Sequence, residues 1–491
     1  MEETPGEVVE KKLPIRLYER SKKTFIWYFF SFHVLLMSYL LIITFVASGI
    51  LCGIDKHISY IDSLFTCTSA ITSTGLIVVD TASLSVVAQV LIFFLIILGN
   101  GILLSLIPLV KRIFLSYLPK LRAKNNNESE KLYAKVQIRA CIYIMIVVMI
   151  YFTYCVLIGV CIFLTMGLDP DYVYVVHEKY NNNSNWWFSI FNSVSIISNA
   201  GFSLLPDSLV SLRKLFVPIA TDAWLILAGN CFFPIFLRMI FSALYFFFPN
   251  DKAITLIYRY PRLVYTHLFP NWNTLQLFLV LTVLNIAQFA LALGLDWNED
   301  ILNGLNTWQR IYNEALQAIS TKHAGVNSLE IQEASIAVII LYIGCMYLSA
   351  YPITISIRGS KIEDKNAASH YIQNMFFSDL SIVFLGILIV AIIENDHLKD
   401  HPTDYTALKI IFEVVSAYGT VGLTLGYRNV KVSFSAGIYT GSKVIILIIM
   451  LLGKLRTLPN VDDPAFTGKV SLEDFQNQWN EIVHNKKKEK N

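Results

Sequence analysis

Charge is what this chain has least of: only 15% of its 491 residues are Asp, Glu, Lys or Arg, against 55% apolar ones. A water-soluble chain of this size carries about 25% charged residues to cover its surface. Mean hydropathy is positive, so the length, which alone would suggest two to four domains, is read as membrane spans. With 39 basic and 36 acidic residues, net charge is +3. That balance argues against nucleic acid as a partner and for the lipid bilayer.

Further absences narrow the chemistry. The seven cysteines (52, 67, 141, 155, 161, 231 and 345) form no CxxC pair and no disulfide framework. They lie mostly in or beside apolar runs and read as small apolar residues. No Walker motif, HExxH, GxSxG or paired His/Asp cluster occurs, so no enzyme chemistry and no cofactor is expected. The polar first twelve residues do not read as a signal peptide. Span centres nearly lack Asp and Glu, with Asp222 the main exception. That argues against an alternating-access carrier built on buried coupling acids.

What the chain has is long apolar runs. Crossing the hydrocarbon takes about 20 apolar residues, and eight runs qualify, near 25–50, 83–110, 138–166, 216–247, 275–295, 334–356, 376–394 and 435–452. Within each successive pair lies a half-apolar segment too short to span: 61–72, 186–198, 308–320 and 405–417. The expected fold is an all-α membrane protein with eight transmembrane helices and four re-entrant pore helices. These form four helix–pore helix–helix repeats, 25–110, 138–247, 275–356 and 376–452, around one central pore. Linkers 111–137, 248–274 and 357–375, the N-terminal segment 1–24 and the tail 453–491 are expected on the cytoplasmic side.

A short glycine-bearing phrase follows each pore segment: Thr72–Leu76, Ile197–Phe202, Thr321–Val326 and Tyr418–Leu423. Polar backbone at membrane depth is tolerated where it lines a water-filled path, and four such stretches can encircle one path. Registered on Gly75, Gly201, Gly325 and Gly422, the position six residues earlier holds Ser69, Ser195, Ile319 and Ser416. Ten residues earlier stand Phe65, Phe191, Ala315 and Phe412; the third copy is the outlier both times. Gly99–Asn100 with Pro108 and Gly229–Asn230 with Pro234 echo one another in the helices that follow.

Lys and Arg cluster after the second, fourth, sixth and eighth spans and before the first, which places both termini in the cytoplasm of a multi-pass plasma-membrane protein. The opposite loops are acid-rich, including Asp55, Asp169, Asp296 and Glu394, and are expected to concentrate cations. Asn182 opens an Asn-x-Ser sequon in an outer loop and is a candidate glycosylation site.

The chemistry expected of the four phrases is cation selection. A dehydrated monovalent cation needs several oxygens, and backbone carbonyls supply them without a fixed charge that would trap the ion. Glycine reaches positive φ and permits close approach. Gly75, Gly201, Gly325 and Gly422 are therefore expected to turn the carbonyls of Thr74, Ala200, Ala324 and Val421 to the axis, with Thr72, Ser198 and Thr420 bracing the loops.

These residues carry a family resemblance. Ser416–Leu423 followed by Gly426–Tyr427 resembles the fourth filter of the Trk/Ktr/HKT transporter superfamily, and Lys322–Ser328 resembles its third. Ser69–Leu76 and Ser198–Leu204 are similar to the first and second, and the resemblance covers roughly 20–460. It implies a channel-like protein moving K+, or K+ and Na+, down the electrochemical gradient, a homodimer, and no enzyme activity. Glycine rather than serine at 75 points to the all-glycine class; a Na+-selective uniporter of the same fold is the alternative. The short 111–137 linker resembles HKT members; a cytoplasmic regulatory subunit, as bacterial members use, stays open.

The resemblance also implies a gate below the filter, where Gly344, Ser349 and Ala350 interrupt the sixth span, and basic barriers at Lys443 and Lys454. The second of those is usually arginine in the family, so Lys454 departs from it. Lys322, beside the third filter, is expected to turn toward an outer acid, Glu330 or Asp207.

Overall fold

The computed structural model describes residues 32–117, 128–179, 184–322, 324–348, 365–427 and 431–456. Among them the chain is all-helical. The first quarter runs α1 (Phe32–Ile54), α2 (Tyr60–Thr72), α3 (Val86–Gly99) and α4 (Ile107–Tyr117). The second runs α5 (Glu128–Met166), α6 (Asn185–Ile197), α7 (Phe216–Ile226) and α8 (Phe233–Phe247), and α9 (Lys252–Arg259) follows it. The third holds α10 (Asn271–Leu295), α11 (Thr307–Ser320) and α12 (Ile336–Leu348). The fourth holds α13 (Lys365–Ile393), α14 (Ala407–Gly419) and α15 (Thr440–Arg456). The four expected short segments thus all form helices: α2, α6, α11 and α14.

Among the described residues three helices are long and apolar enough to cross a membrane, within Val34–Ile54, Lys135–Met166 and Asn271–Leu295. Two bent pairs bring the number to five if each is one span: α3 with the helix beyond Gly99 (45°) and α7 with α8 (74°). The runs expected at 83–110 and 216–247 are therefore broken rather than continuous. Asn100 breaks the first: its backbone leaves the helical region, and its Oδ1 accepts from the N–H of Ile102 at 2.7 Å, starting a new helix. A π-helical turn at Leu227–Cys231 breaks the second.

The short helices are central. From Ser63 to Thr72, α2 is buried on every side, and α14 is buried from Phe412 to Gly419. A surface helix would be amphipathic; α2 carries serine and threonine around its whole circumference because protein, not lipid or water, surrounds it. The outgoing helices then close a ring. In turn, α3 packs on α6, α7 on α11, α12 on α14, and α15 on α2. Each quarter thus leans on the short helix of the next, and the last returns to the first.

The turns after α1, α10 and α13 show why several acids sit where they do. Asp55, just after α1, accepts from the N–H and hydroxyl of Ser85 at the start of α3 (3.2 and 3.1 Å). Asp296, after α10, accepts from the N–H of Ser335 before α12 (3.1 Å). Glu394, after α13, accepts from Tyr439 N–H (2.8 Å) and the Ser442 hydroxyl (2.5 Å) beside the start of α15. Expected to attract cations from solution, these three carboxylates instead cap the outgoing helix of their own repeat, where orphan N–H groups and the helix dipole favour negative charge.

The candidate residues Asn182, Ser349 and Ala350 lie outside the described residues, as do segment 1–24 and most of the tail.

Candidate functional site: four glycine loops around one axis

The first, second and fourth loops begin by unwinding their short helix in the same way. Ser73, Asn199 and Thr420 take left-handed backbone (φ 54°, 51° and 50°) two residues before their glycines. The next N–H then reaches back to the helix: Thr74 to Ser69 O (2.9 Å), Ala200 to Ser195 O (2.9 Å) and Val421 to Ser416 O (3.0 Å). The chain is thereby reversed and led back along the axis.

The glycines follow with φ of +92° (Gly75), +69° (Gly201), +61° (Gly325) and +91° (Gly422). Their surroundings supply a second reason for glycine. A Cβ on Gly75 would stand 2.6 Å from the Ala200 carbonyl oxygen, and one on Gly201 2.6 Å from that of Ala324. On Gly325 it would collide with the Val421 oxygen, and on Gly422 with the Thr74 oxygen. The contacts run 75 to 200, 201 to 324, 325 to 421 and 422 to 74, a closed circuit of four loops. One cavity of about 270 Å³ touches all four glycines.

Serine hydroxyls brace the circuit. Ser69 and Ser416 accept the N–H of Gly75 and Gly422, each at 3.1 Å. Ser195 donates to the Phe202 carbonyl at 2.6 Å. In the third loop Ser320 does the same to Val326, and Ala324 N–H returns to Ser320 O at 3.0 Å. The third copy is therefore one residue shorter between serine and glycine. Ser320, not Ile319, occupies the serine position, and buried Leu316 rather than Ala315 falls where the others have phenylalanine. The outlier in both columns was a deletion, which a fixed offset from the glycine conceals.

The supporting residues divide. Thr72 Oγ1 bonds the Thr68 carbonyl (2.6 Å) and Thr74 Oγ1 (2.7 Å), locking the first loop. The Ser198 hydroxyl lies 2.8 Å from Asn100 Nδ2, so the break in α3 ties the first repeat to the second loop. The sequence marked Asn100 as an echo of Asn230 without assigning it that contact. Thr420 supplies the left-handed turn of the fourth loop.

The basic residues are also separated. Lys443 Nζ pairs with Asp62 Oδ1 at 2.7 Å, in the first turn of α2, which makes it a tie between the fourth and first repeats rather than a bare charge facing the loops. Lys454 is buried, and its ammonium reaches Ser73 Oγ at 3.3 Å, where α2 turns into its loop. Lys322 donates its ammonium to Asn285 Oδ1 on α10 at 2.6 Å. Asp207 pairs with Lys431 at 3.2 Å. Gly344 is exposed on α12, on the side away from buried Tyr342 and Met346. Among the described residues no group of three or more His, Cys, Asp or Glu is placed to hold a metal ion.

Outside the glycines the loops are stitched in pairs. Ser433 N–H donates to Ile77 O (2.8 Å) and Ile77 N–H to Ser433 Oγ (2.7 Å); Leu209 N–H donates to Asn327 O (3.0 Å). The first loop is thereby joined to the fourth, and the second to the third.

Comparison with known proteins places this arrangement. Residues 55–363 and 359–466 match TrkH, a family described as cation transport protein. The chain is 33% identical over 309 residues to potassium transport protein 1 of Schizosaccharomyces pombe, covering 59% of this chain and 37% of that protein. It is 29% identical over 286 residues to cation transporter HKT1;3 of Oryza sativa subsp. japonica, covering 55% and 54%. The chain thus spans about half or less of the length of these relatives. The crystal structure of the potassium transporter TrkH from Vibrio parahaemolyticus superimposes with a TM-score of 0.55 at 13% identity, over 87% of this chain and 83% of that one, so the fold is shared. With a family match running from residue 55 to residue 466, the chain belongs to the TrkH family of cation transport proteins.

Proposed function

We propose that the four loops form a selectivity filter through which K+, or K+ and Na+, cross the plasma membrane down the electrochemical gradient. The observation that carries the reading is the circuit of glycines, each set against the carbonyl before the next glycine, around one cavity. Carbonyls at such close approach can replace an ion's hydration shell without holding it by charge. Thr74, Ala200, Ala324 and Val421 supply the oxygens; Gly75, Gly201, Gly325 and Gly422 make the approach possible. The relatives' names, potassium transport protein and cation transporter, support the same cargo.

In this reading the chain spans the membrane eight times, with α2, α6, α11 and α14 as re-entrant pore helices and both termini cytoplasmic. The buried Lys454 ammonium, beside Ser73, stands beneath the filter and opposes ion exit, favouring inward flow. Two copies form a dimer with one pore in each.

The test is two-electrode voltage clamp of oocytes expressing the chain, exchanging external K+ and Na+ singly, with Gly75→Ser beside the parent. A parental reversal potential that follows K+ and a mutant one displaced toward Na+ are expected. A parent that follows Na+ alone would replace the K+ assignment with a Na+-selective uniporter of the same fold. Absence of current despite surface expression would overturn the permeation reading.

A further inference from the structure

The cavity outside the glycines carries a charge arrangement that a carbonyl filter does not require. Asp207, in the loop after Gly201, and Lys431, in the loop after Gly422, both line it, and Lys431 Nζ lies 3.2 Å from Asp207 Oδ2. The pair therefore reaches across the mouth from the fourth repeat to the second. Its two halves differ in freedom. The Asp207 side chain is 8% exposed and receives the Ser211 hydroxyl, whereas the Lys431 side chain is 48% exposed. A fixed carboxylate thus faces a cation on a long, flexible stem. Asp80 belongs to the same neighbourhood: burial raises its carboxyl above the ordinary range, Lys431 pulls it down and Asp207 pushes it up. Asp80 is itself held in place by accepting from Ala82 N–H at 2.9 Å.

An ammonium and a hydrated alkali cation make the same demand on a carboxylate oxygen, and an ion pair whose lysine is half exposed is weak enough for a free ion to displace. We propose that Asp207 is an outer-mouth binding site for the entering monovalent cation and that Lys431 is its tethered competitor. The lysine sets the external concentration at which the site fills; an arriving ion takes its place on Asp207 before losing water at the glycines. This rests on the permeation reading above, and it names the step that precedes the filter.

The first measurement is uptake or current against external K+ at constant ionic strength, balanced with N-methyl-D-glucamine. Lys431→Gln is expected to lower the half-saturating K+ concentration roughly two- to fivefold, the range that about 0.4–1 kcal/mol of a solvent-screened pair supports. Asp207→Asn is expected to raise it, and in that background Lys431→Gln should have no further effect. An unchanged half-saturation in Lys431→Gln, or an equal fall with and without Asp207, would overturn the proposal, the latter by reducing Lys431 to general surface charge. A second measurement needs no conduction. In the purified full chain carrying Lys431→Cys, labelling at 431 by cationic and anionic methanethiosulfonates is followed by peptide mass. The cationic reagent should react faster, K+ should slow it, and Asp207→Asn should remove both effects. Neither preference nor K+ protection would sink the site while leaving the pore intact. Protection in a chain without current would keep the site and sink the permeation reading.

Discussion

Lys443 on the last helix and Asp62 in the first turn of α2 meet at 2.7 Å, joining the two ends of a ring that begins and closes between them. The pair is largely shielded, with side chains 11% and 23% exposed. Removing either partner leaves the other charge without its counterion at the edge of the bundle. Lys443→Gln and Asp62→Asn are each expected to lower stability by about 2 kcal/mol, the scale of a charge-assisted hydrogen bond. Thermal unfolding of the purified chain in detergent checks this. The double variant should lose much less than the sum of the singles; full additivity would show that the pair does not hold the ring.

Gly201→Ala is expected to abolish cation flux while protein still reaches the surface. The new methyl faces the Ala324 carbonyl at 2.6 Å, and φ of +69° costs an alanine about 1–2 kcal/mol. Relief of both strains moves the carbonyl assigned to the ion. Gly304, also left-handed (+74°) but with open space around it, is the control: Gly304→Ala carries the backbone strain alone and should conduct. Equal flux loss in both would remove the special role of the ring.

The third loop offers a test of register. Ser320→Ala removes the hydroxyl bound to the Val326 carbonyl, with an expected stability loss of about 1 kcal/mol and an altered K+/Na+ permeability ratio. Ile319→Val, at the position a fixed offset would choose, should leave the ratio unchanged. The reverse pattern in reversal potentials would restore the uncorrected alignment.

Lys322 and Asn285 make a 2.6 Å contact that ties the third loop to α10. Lys322→Gln and Asn285→Leu are both expected to lower the midpoint of thermal unfolding by about 1–2 °C, as losses of about 1–2 kcal/mol do in a chain of this size. A Lys322→Gln protein with parental stability and only a changed K+/Na+ ratio would assign the lysine to selectivity instead.

Much of this was legible in the chain because it is repeated. Apolar runs of spanning length, half-apolar segments between them and one glycine after each segment are local patterns. The four short helices appeared where composition placed them, within two residues at either end. What local patterns could not show was partnership. Asp55, Asp296 and Glu394 read as an acidic outer face, since in a linear chain a capping carboxylate and a solvated one look alike. Ile319 was aligned in place of Ser320 because a one-residue deletion is invisible until a hydroxyl is seen bonding the loop. Nor does the linear chain show that an amide on α10, Asn285, comes within reach of the Lys322 ammonium.

The sequence by itself determined that the chain is helical, apolar and four times repeated, with a glycine in each repeat: hydropathy and glycine's lack of a Cβ act residue by residue. Only the tertiary structure decided that the glycines stand in one circuit, each against the neighbouring repeat's carbonyl. It alone also set Lys443 on Asp62 and Lys431 on Asp207. Those contacts join residues hundreds of positions apart, and they exist because each outgoing helix packs on the next repeat until the ring closes.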